Sequence, residues 1–175
     1  MIAVDYFPHR FEAPLASHGV GRSRVIWYTV LFLPPELEAE LPFDRHPRLR
    51  VEGEIADVPV QGAWMPTGDG RRYFMVSPPV LMAAKPQPGE LLEMRFRVDD
   101  QDRVDVPAAL AAALRSDSQA TGTWEALTPG KRRGLAHFVS AARTPATQVR
   151  KAAEVVEGLR QGDISRFGPP SRRSR

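Results

Sequence analysis

Of the chain's 24 Lys and Arg residues, only Lys85, Lys131 and Lys151 are lysines, so its cationic chemistry belongs to arginine. The charge is unevenly spread. Residues 131–175 hold eleven Lys or Arg against three acids, a net +8, which leaves −5 on the first 130 residues. An acidic body with a basic end is what an anionic partner selects, and a solvated basic surface carries the same charge without one. Arginine suits anion binding because its planar fork grips carboxylate or phosphate through two bonds. On a helix predicted from Pro129, Arg132 and Arg143 fall on one side of the apolar stripe, about three turns or roughly 16 Å apart. They would grip two ends of an extended anion. Arg150 has Glu154 four residues on, so its charge is partly matched. Arg71 and Arg72 follow a Gly68-Asp69-Gly70 turn. The candidate anion-binding residues are therefore Arg132, Arg143 and Arg150, with Arg71 and Arg72 as additions. A solvated helical hairpin is the competing account.

Other chemistry finds little support. With no cysteine, disulfides, Cys-ligated metals and thiol nucleophiles are excluded. His9, His18, His46 and His137 show no metal-ligand spacing, and His18 and His46 fall in predicted loops. Gly68-Asp69-Gly70-Arg71-Arg72 lacks the GxxxxGK[ST] pattern of a phosphate loop, and a hairpin turn explains it. No GxSxG elbow is present, and Ser77 before Pro78 reads as a helix cap. The run Asp99-Asp100-Gln101-Asp102 lacks calcium-loop spacing and reads as a turn. Glu52 and Glu54 are expected to pair across strands with Arg95 or Arg97. No catalytic residue, metal ligand set or cofactor is predicted.

The elements that position these residues fall into two halves. The first reads as strands. His9–Leu15 is short. Arg24–Leu33 is apolar on both faces, which predicts a central strand covered on both sides. Arg48–Ile55 alternates, with Leu49, Val51, Gly53 and Ile55 on one face. Asp57 marks a turn before Val58–Met65, and Asp69-Gly70 a hairpin before Tyr73-Phe74-Met75. Leu91–Val98 alternates again. Single helical turns are predicted at Glu36–Leu41 and Pro79–Ala84.

The second half reads as helices. Pro107–Leu114 is rich in Ala and Leu, and Asp117 caps a helix towards Leu127. Thr128-Pro129 and Thr144-Pro145 each place a Thr cap before Pro at the first helical position. They start helices over Pro129–Ala142 and Pro145–Gln161, stopped by Gly162. Leu135, Phe138, Val139 and Ala142 form one predicted face; Val149, Ala152, Ala153 and Val156 form the other. The hairpin is expected to pack on the sheet, with Phe138 buried against Val149 and Ala153. Strands first and helices second predict an α+β fold whose five or six strands close into a small barrel or half-barrel. The predicted boundaries are 9–105 for an antiparallel β-barrel domain, 106–165 for a helical region, and 166–175 for a disordered basic tail.

The order of several short motifs resembles the bacterial YdeI/OmpD-associated, or bacteriocin-protection, family with its N-terminal barrel domain of unknown function. The motifs include Arg10-Phe11-Glu12-Ala13-Pro14-Leu15, Phe32-Leu33-Pro34 and Leu49-Arg50-Val51-Glu52-Gly53-Glu54-Ile55. Pro66-Thr67-Gly68-Asp69-Gly70-Arg71, Val76-Ser77, Pro88-Gly89-Glu90 and Val106-Pro107 with Leu110 continue the pattern. The helical half adds Trp124 to Leu127, Arg132-Arg133, Ala142-Arg143, Pro145, Thr147, Arg150 and Leu159 to Gly162. The resemblance spans about residues 9–162. It implies a small split β-barrel followed by a helical appendage, and no enzymatic activity. Phe138 stands where the family usually has Trp, Ala146 where it has Glu, Gln148 where it has Arg, and Arg143 where Lys is common.

Together these readings predict a non-enzymatic binding or interaction protein, linked through the resemblance to stress or cationic-peptide resistance. Binding of nucleic acid or a phosphorylated ligand by the basic helices is one alternative. A small-molecule barrel or unrecognised enzyme, with Trp27, Trp64, Met65 and Met75 around a cavity, is another. The partner expected is acidic. With no targeting signal and no apolar run near 20 residues, a cytoplasmic location is expected.

Overall fold

The computed structural model describes residues 6–167. The chain divides into two compact units, Met1–Gln101 and Asp102–Arg175. Of the tail predicted at 166–175, residues 168–175 lie outside the described residues, and Arg166 and Phe167 belong to a 3-10 turn instead. Among those described, no helix is long and apolar enough to cross a membrane.

The first unit is a curled antiparallel half-barrel of seven strands. These are β1 (His9–Pro14), β2 (Ala16–Val20), β3 (Ile26–Phe32), β4 (Leu49–Ile55), β5 (Val58–Pro66), β6 (Arg72–Met75) and β7 (Leu91–Val98). Their order across the sheet is β1-β7-β4-β5-β6-β3-β2. Short helices α1 (Pro35–Glu38) and α2 (Pro78–Ala84) sit in the connections. The alternation read in β4 and β7 is real: Leu49, Val51, Gly53 and Ile55 are buried, as are Leu92, Met94 and Phe96. Their outward rows pair as charges predict. Glu54 lies opposite Arg95 and Glu52 opposite Arg97. Arg95 reaches Glu54 at 2.9 Å, and Arg97 bonds Glu52.

Trp64 on β5 is fully buried at the centre of the core. Its ring meets Phe74 and Phe96 at 5.6 Å and Phe11 at 5.9 Å, in the tilted and edge-on geometries that aromatic quadrupoles favour. The sheet curls tightly enough that Gly53 has no room for a side chain. A Cβ there would stand 2.0 Å from the Arg95 carbonyl oxygen and 2.8 Å from Phe96 Cα.

Several expectations are corrected. The strands number seven, because Ala16–Val20 pairs with β3 although its sequence carries no strand pattern. His18 therefore lies on a strand, 4.5 Å from the Tyr73 ring, rather than in a loop. The strand Ile26–Phe32 lies next to the sheet edge rather than at its centre, and it is covered on both faces only towards its end: the neighbours Val30 and Leu31 are both buried, while Ile26 and Trp27 are 51% and 68% exposed. Its apolar start projects beyond the core. Of two tight links, the one at Asp57 falls where the sequence puts it and the other differs. Ala56 and Asp57 both take positive φ and join β4 to β5 as a two-residue hairpin. In the Thr67–Arg71 turn only Gly70 does so.

The second unit is helical: α3 (Ala108–Arg115), α4 (Ser118–Ala126), α5 (Pro129–Ser140) and α6 (Pro145–Gln161), then a 3-10 turn over Ser165–Phe167. It has its own core, built from Leu110, Leu114, Ala120, Trp124, Leu135, Ala136, Val139, Ala152, Val155, Val156 and Leu159. The caps are partly as read. The Asp117 carboxylate accepts from the Ala120 N–H and the Thr144 hydroxyl from the Thr147 N–H, while Thr128 makes no side-chain cap bond. Gly162 stops α6 at φ 70°.

The buried face of α6 is as predicted at Ala152 and Val156 and differs at the other two positions. Ala152, Val155, Val156 and Leu159 point inward, whereas Val149 is 61% exposed and Ala153 is exposed. Phe138 is half-buried rather than buried against Val149 and Ala153. Its ring packs edge-on to Phe167 at 5.0 Å and lies 4.5 Å from the Lys151 ammonium. The chain after α6 returns to supply that cover, passing close over Gly158.

Gly53→Ala is expected to destabilise the barrel by about 3 kcal/mol or more, since the atoms it meets are backbone and have no rotamer to yield. Gly68→Ala, with nothing within 4 Å, is the matched control. Urea denaturation of both variants checks this: equal midpoints would contradict the close approach of β4 and β7.

Candidate functional site

The five candidate arginines divide between the units, Arg71 and Arg72 on the barrel, the other three in the helical unit. They are not equivalent. Arg72 is 17% exposed; it bonds Glu38 at 3.1 Å and the Pro47 carbonyl at 3.0 Å, and lies over the Phe43 ring. It ties the loop before β4 to the sheet. Arg71 pairs with Asp69 at 2.9 Å and stacks on Phe32. Bonds from Arg71 and Thr67 hold the Asp69 carboxyl well below the usual carboxylate range, so this exposed pair stays matched at ordinary pH.

Arg132 is also committed. Its Nε donates to the Trp124 carbonyl at 3.0 Å and the Leu127 carbonyl at 3.1 Å, and a terminal nitrogen donates to the Glu125 carbonyl. These oxygens end α4, where helical carbonyls lack partners and carry partial negative charge. The guanidinium thus acts as a cap supplied from α5. The neighbouring Arg133 reaches the Arg103 carbonyl at 3.2 Å.

Arg143 and Arg150 stand apart from this pattern. Because α5 ends at Ser140, Arg143 lies in the link to α6 rather than on the helix flank shared with Arg132. It is exposed and has no hydrogen bond or ion pair among the described residues. Arg150 is 72% exposed and only loosely matched, with Glu154 at 3.9 Å. No acid occupies the first turn of α6, so the dipole's positive end is left uncompensated beside both cations. Between them runs an exposed stripe of Ala146, Val149 and Ala153 at helical spacing. Gln148 turns away and donates to the Ala142 carbonyl at 3.1 Å. An apolar strip beside one unpaired and one loosely paired arginine is the arrangement these residues make. The positive charge of this region is legible in the sequence, but the shared flank of Arg132 and Arg143 is not found, and assigning Val149 and Ala153 to the core hides the strip.

The barrel offers less for a small molecule. One cavity of about 340 Å³ is lined by Tyr6, Phe7, Pro59 and the Glu52–Glu54 row, whose two carboxylates already hold Arg97 and Arg95. Another of about 340 Å³ opens where β5 parts from β6, among Tyr28, Gly62, Phe74 and Met75. Trp64 is in the core instead of a cavity wall, and Trp27 projects into solvent.

Residues 103–162 match the model of the family described as Bacteriocin-protection, YdeI or OmpD-Associated. That span is the helical unit, and the barrel lies outside it. No curated protein and no solved structure gives a match to the chain.

Arg132→Ala is expected to lower stability by about 1.5–3 kcal/mol, because the end of α4 loses a charged donor. Arg132→Lys recovers only part, since an ammonium lacks the fork. Denaturant titration separates the three proteins, and an unchanged Arg132→Ala would contradict the capping role. Acid tests a second tie. The Ala120 N–H and the Arg160 guanidinium, 3.0 Å away, hold the Asp117 carboxyl below its usual range. A depressed carboxyl pKa adds stability above its unfolded value of about 4 and loses it as pH falls through the folded value. Wild type is expected to melt above Asp117→Asn at pH 6, the gap closing as pH falls below about 4. A gap independent of pH would remove Asp117 from the account.

Proposed function

We propose that the protein is a non-enzymatic binding protein whose helical unit receives an acidic partner on the outward face of α6. Ala146, Val149 and Ala153 supply the apolar contact, and Arg143 and Arg150 the charge contacts. The observation that carries this is Val149: a branched apolar side chain 61% exposed on a stable 17-residue helix, beside two cations without close partners. Helices normally turn such a residue inward. Its outward placement beside unmatched charge is the composition of an interface with an apolar centre and a polar rim. Arg132, Arg71 and Arg72 have structural partners and are at most secondary contributors.

The sign of the site bears on the role. A basic face repels a cationic peptide, so protection against such peptides would run through an acidic intermediary rather than direct capture. A cytoplasmic setting fits a chain with no cysteine. The arginines also allow nucleic acid as the anion, and the test includes it.

Binding of a labelled poly-glutamate peptide and of a labelled single-stranded DNA to the full chain is measured by fluorescence anisotropy over a salt series. The acidic peptide is expected to bind with a steep salt dependence. Arg143→Ala/Arg150→Ala is expected to weaken it at least tenfold, Val149→Asp comparably, and Arg132→Ala hardly at all. If the Arg143/Arg150 pair binds like wild type, the site is wrong. If DNA binds more tightly than the peptide at every salt concentration, the acidic-protein reading gives way to nucleic acid.

A further inference from the structure

Among the described residues, the sheet ends at one side in a strand that lacks the usual protections of an edge. β2 is last in the sheet order, and its sequence, Ala-Ser-His-Gly-Val, holds no charge and no proline. Proteins normally blunt such edges with charges, prolines or a covering segment. The opposite edge does so: β1 carries Arg10 and Glu12 and ends at Pro14. No turn or loop hydrogen bond among the described residues reaches the main chain of 16–20. Alternate residues of β2 therefore present N–H and C=O groups with no partner strand.

Apolar surface adjoins this edge. Val25 and Trp27 of the β2–β3 hairpin lie across β2 at Gly19, where a Cβ would stand 2.6 Å from Val25 Cγ1 and 3.3 Å from the indole. Glycine at 19 lets the ring reach over the edge strand. Val20, Val25, Ile26 and Trp27 are 38%, 48%, 51% and 68% exposed. The turn adds Arg22 and Arg24, both exposed and without a hydrogen bond or ion pair among the described residues. No Asp or Glu occurs from residue 13 to residue 35.

We propose that the free edge of β2 takes an extended acidic segment of a partner protein by strand addition, with Arg22 and Arg24 as its charge contacts. Main-chain pairing needs a strand, which neither a lipid surface nor a nucleic acid provides. A second copy of this hairpin would bring no acid from residues 13–35, leaving the arginines unmatched. The occupant is therefore an extended peptide whose apolar residues meet Val20 and the Trp27 indole, with Asp or Glu towards the turn. This surface is independent of the α6 face.

The test is selection from a phage-displayed library of random decapeptides on the full-length protein, followed by hydrogen exchange with a synthetic copy of the enriched sequence. Enriched peptides are expected to alternate apolar residues with Asp or Glu and to slow exchange at residues 16–20. Arg22→Glu/Arg24→Glu is expected to weaken the selected peptide at least tenfold and to select basic peptides instead. Arg143→Ala/Arg150→Ala is expected to leave it unchanged, which separates this surface from the α6 face. No enrichment, enrichment without acids, protection away from 16–20, or unchanged binding to the charge-reversed variant would each overturn the proposal. So would a concentration-dependent dimer in sedimentation that protects the same amides without peptide.

Discussion

A single residue, Leu15, joins the two opposite edges of the seven-stranded sheet. β1 ends at Pro14 and β2 begins at Ala16, yet these strands stand first and last in the sheet order. Two peptide units span at most about 7 Å. The edges must therefore approach at that corner, and a sheet whose edges meet at one end has to curl. Curling turns the inward rows of β1, β4, β5 and β7 towards one another and sets how little space lies between them. Trp64 fills that space against Phe11, Phe74 and Phe96, and Gly53 is the concession where even a methyl does not fit. At the far end of β2 the same constraint no longer applies. The β2–β3 hairpin leaves the core there, which is why Val25, Ile26 and Trp27 are exposed despite strongly apolar sequence.

In the helical unit the corresponding constraint is the phase of α6. With Ala152, Val155, Val156 and Leu159 inward, Ala153 points out, and Val149, on the same side as Ala152 and Val156, is exposed nearer the helix start. The alternative stripe, Val149–Ala152–Ala153–Val156, satisfies the same periodicity, and its smaller residues would bury less area. The larger gain from Val155 and Leu159 sets the rotation. The surface near Arg143 and Arg150 is thus a consequence of core packing at the other end of the helix.

What the sequence made legible follows from how much of each element is buried on one side. The Leu49–Ile55 and Leu91–Val98 rows were readable because one face is buried and the other charged. The Asp117 and Thr144 caps and the Gly162 stop were readable because each is a local bond or local conformation. β2 was not, since Ser17, His18 and Gly19 show no alternation and owe their strand conformation to pairing with β3. The β3 run was misread because an exposed apolar hairpin and a doubly covered strand look alike in sequence. The α6 stripe was offset because two phases fit, although Leu159, counted with the rest, favours the observed one. The anion-binding set was legible as a charge imbalance, but which arginines have partners depends on contacts between elements. Arg132 meets carbonyls five to eight residues away only because the link at Leu127 and Thr128 sets the start of α5 beside the end of α4.

That last point limits what net charge can say about function in an arginine-rich chain. Arg72 and Arg132 hold loops and helix ends, and Arg95 and Arg97 complete cross-strand rows. Each adds a positive charge to the total while its donors are already engaged. The fork that makes arginine a good anion ligand also makes it a good structural tie, so a basic segment marks a site only where the fork lacks a partner. Arg22 and Arg24 on the hairpin and Arg143 before α6 satisfy that condition in different units, and Arg150 comes near it with only Glu154 at 3.9 Å. In both places the unmatched charge adjoins apolar side chains that the core does not use. A solvated basic surface accounts for the arginines in each place, but it gives no reason for the Trp, Val and Ile side chains exposed beside them.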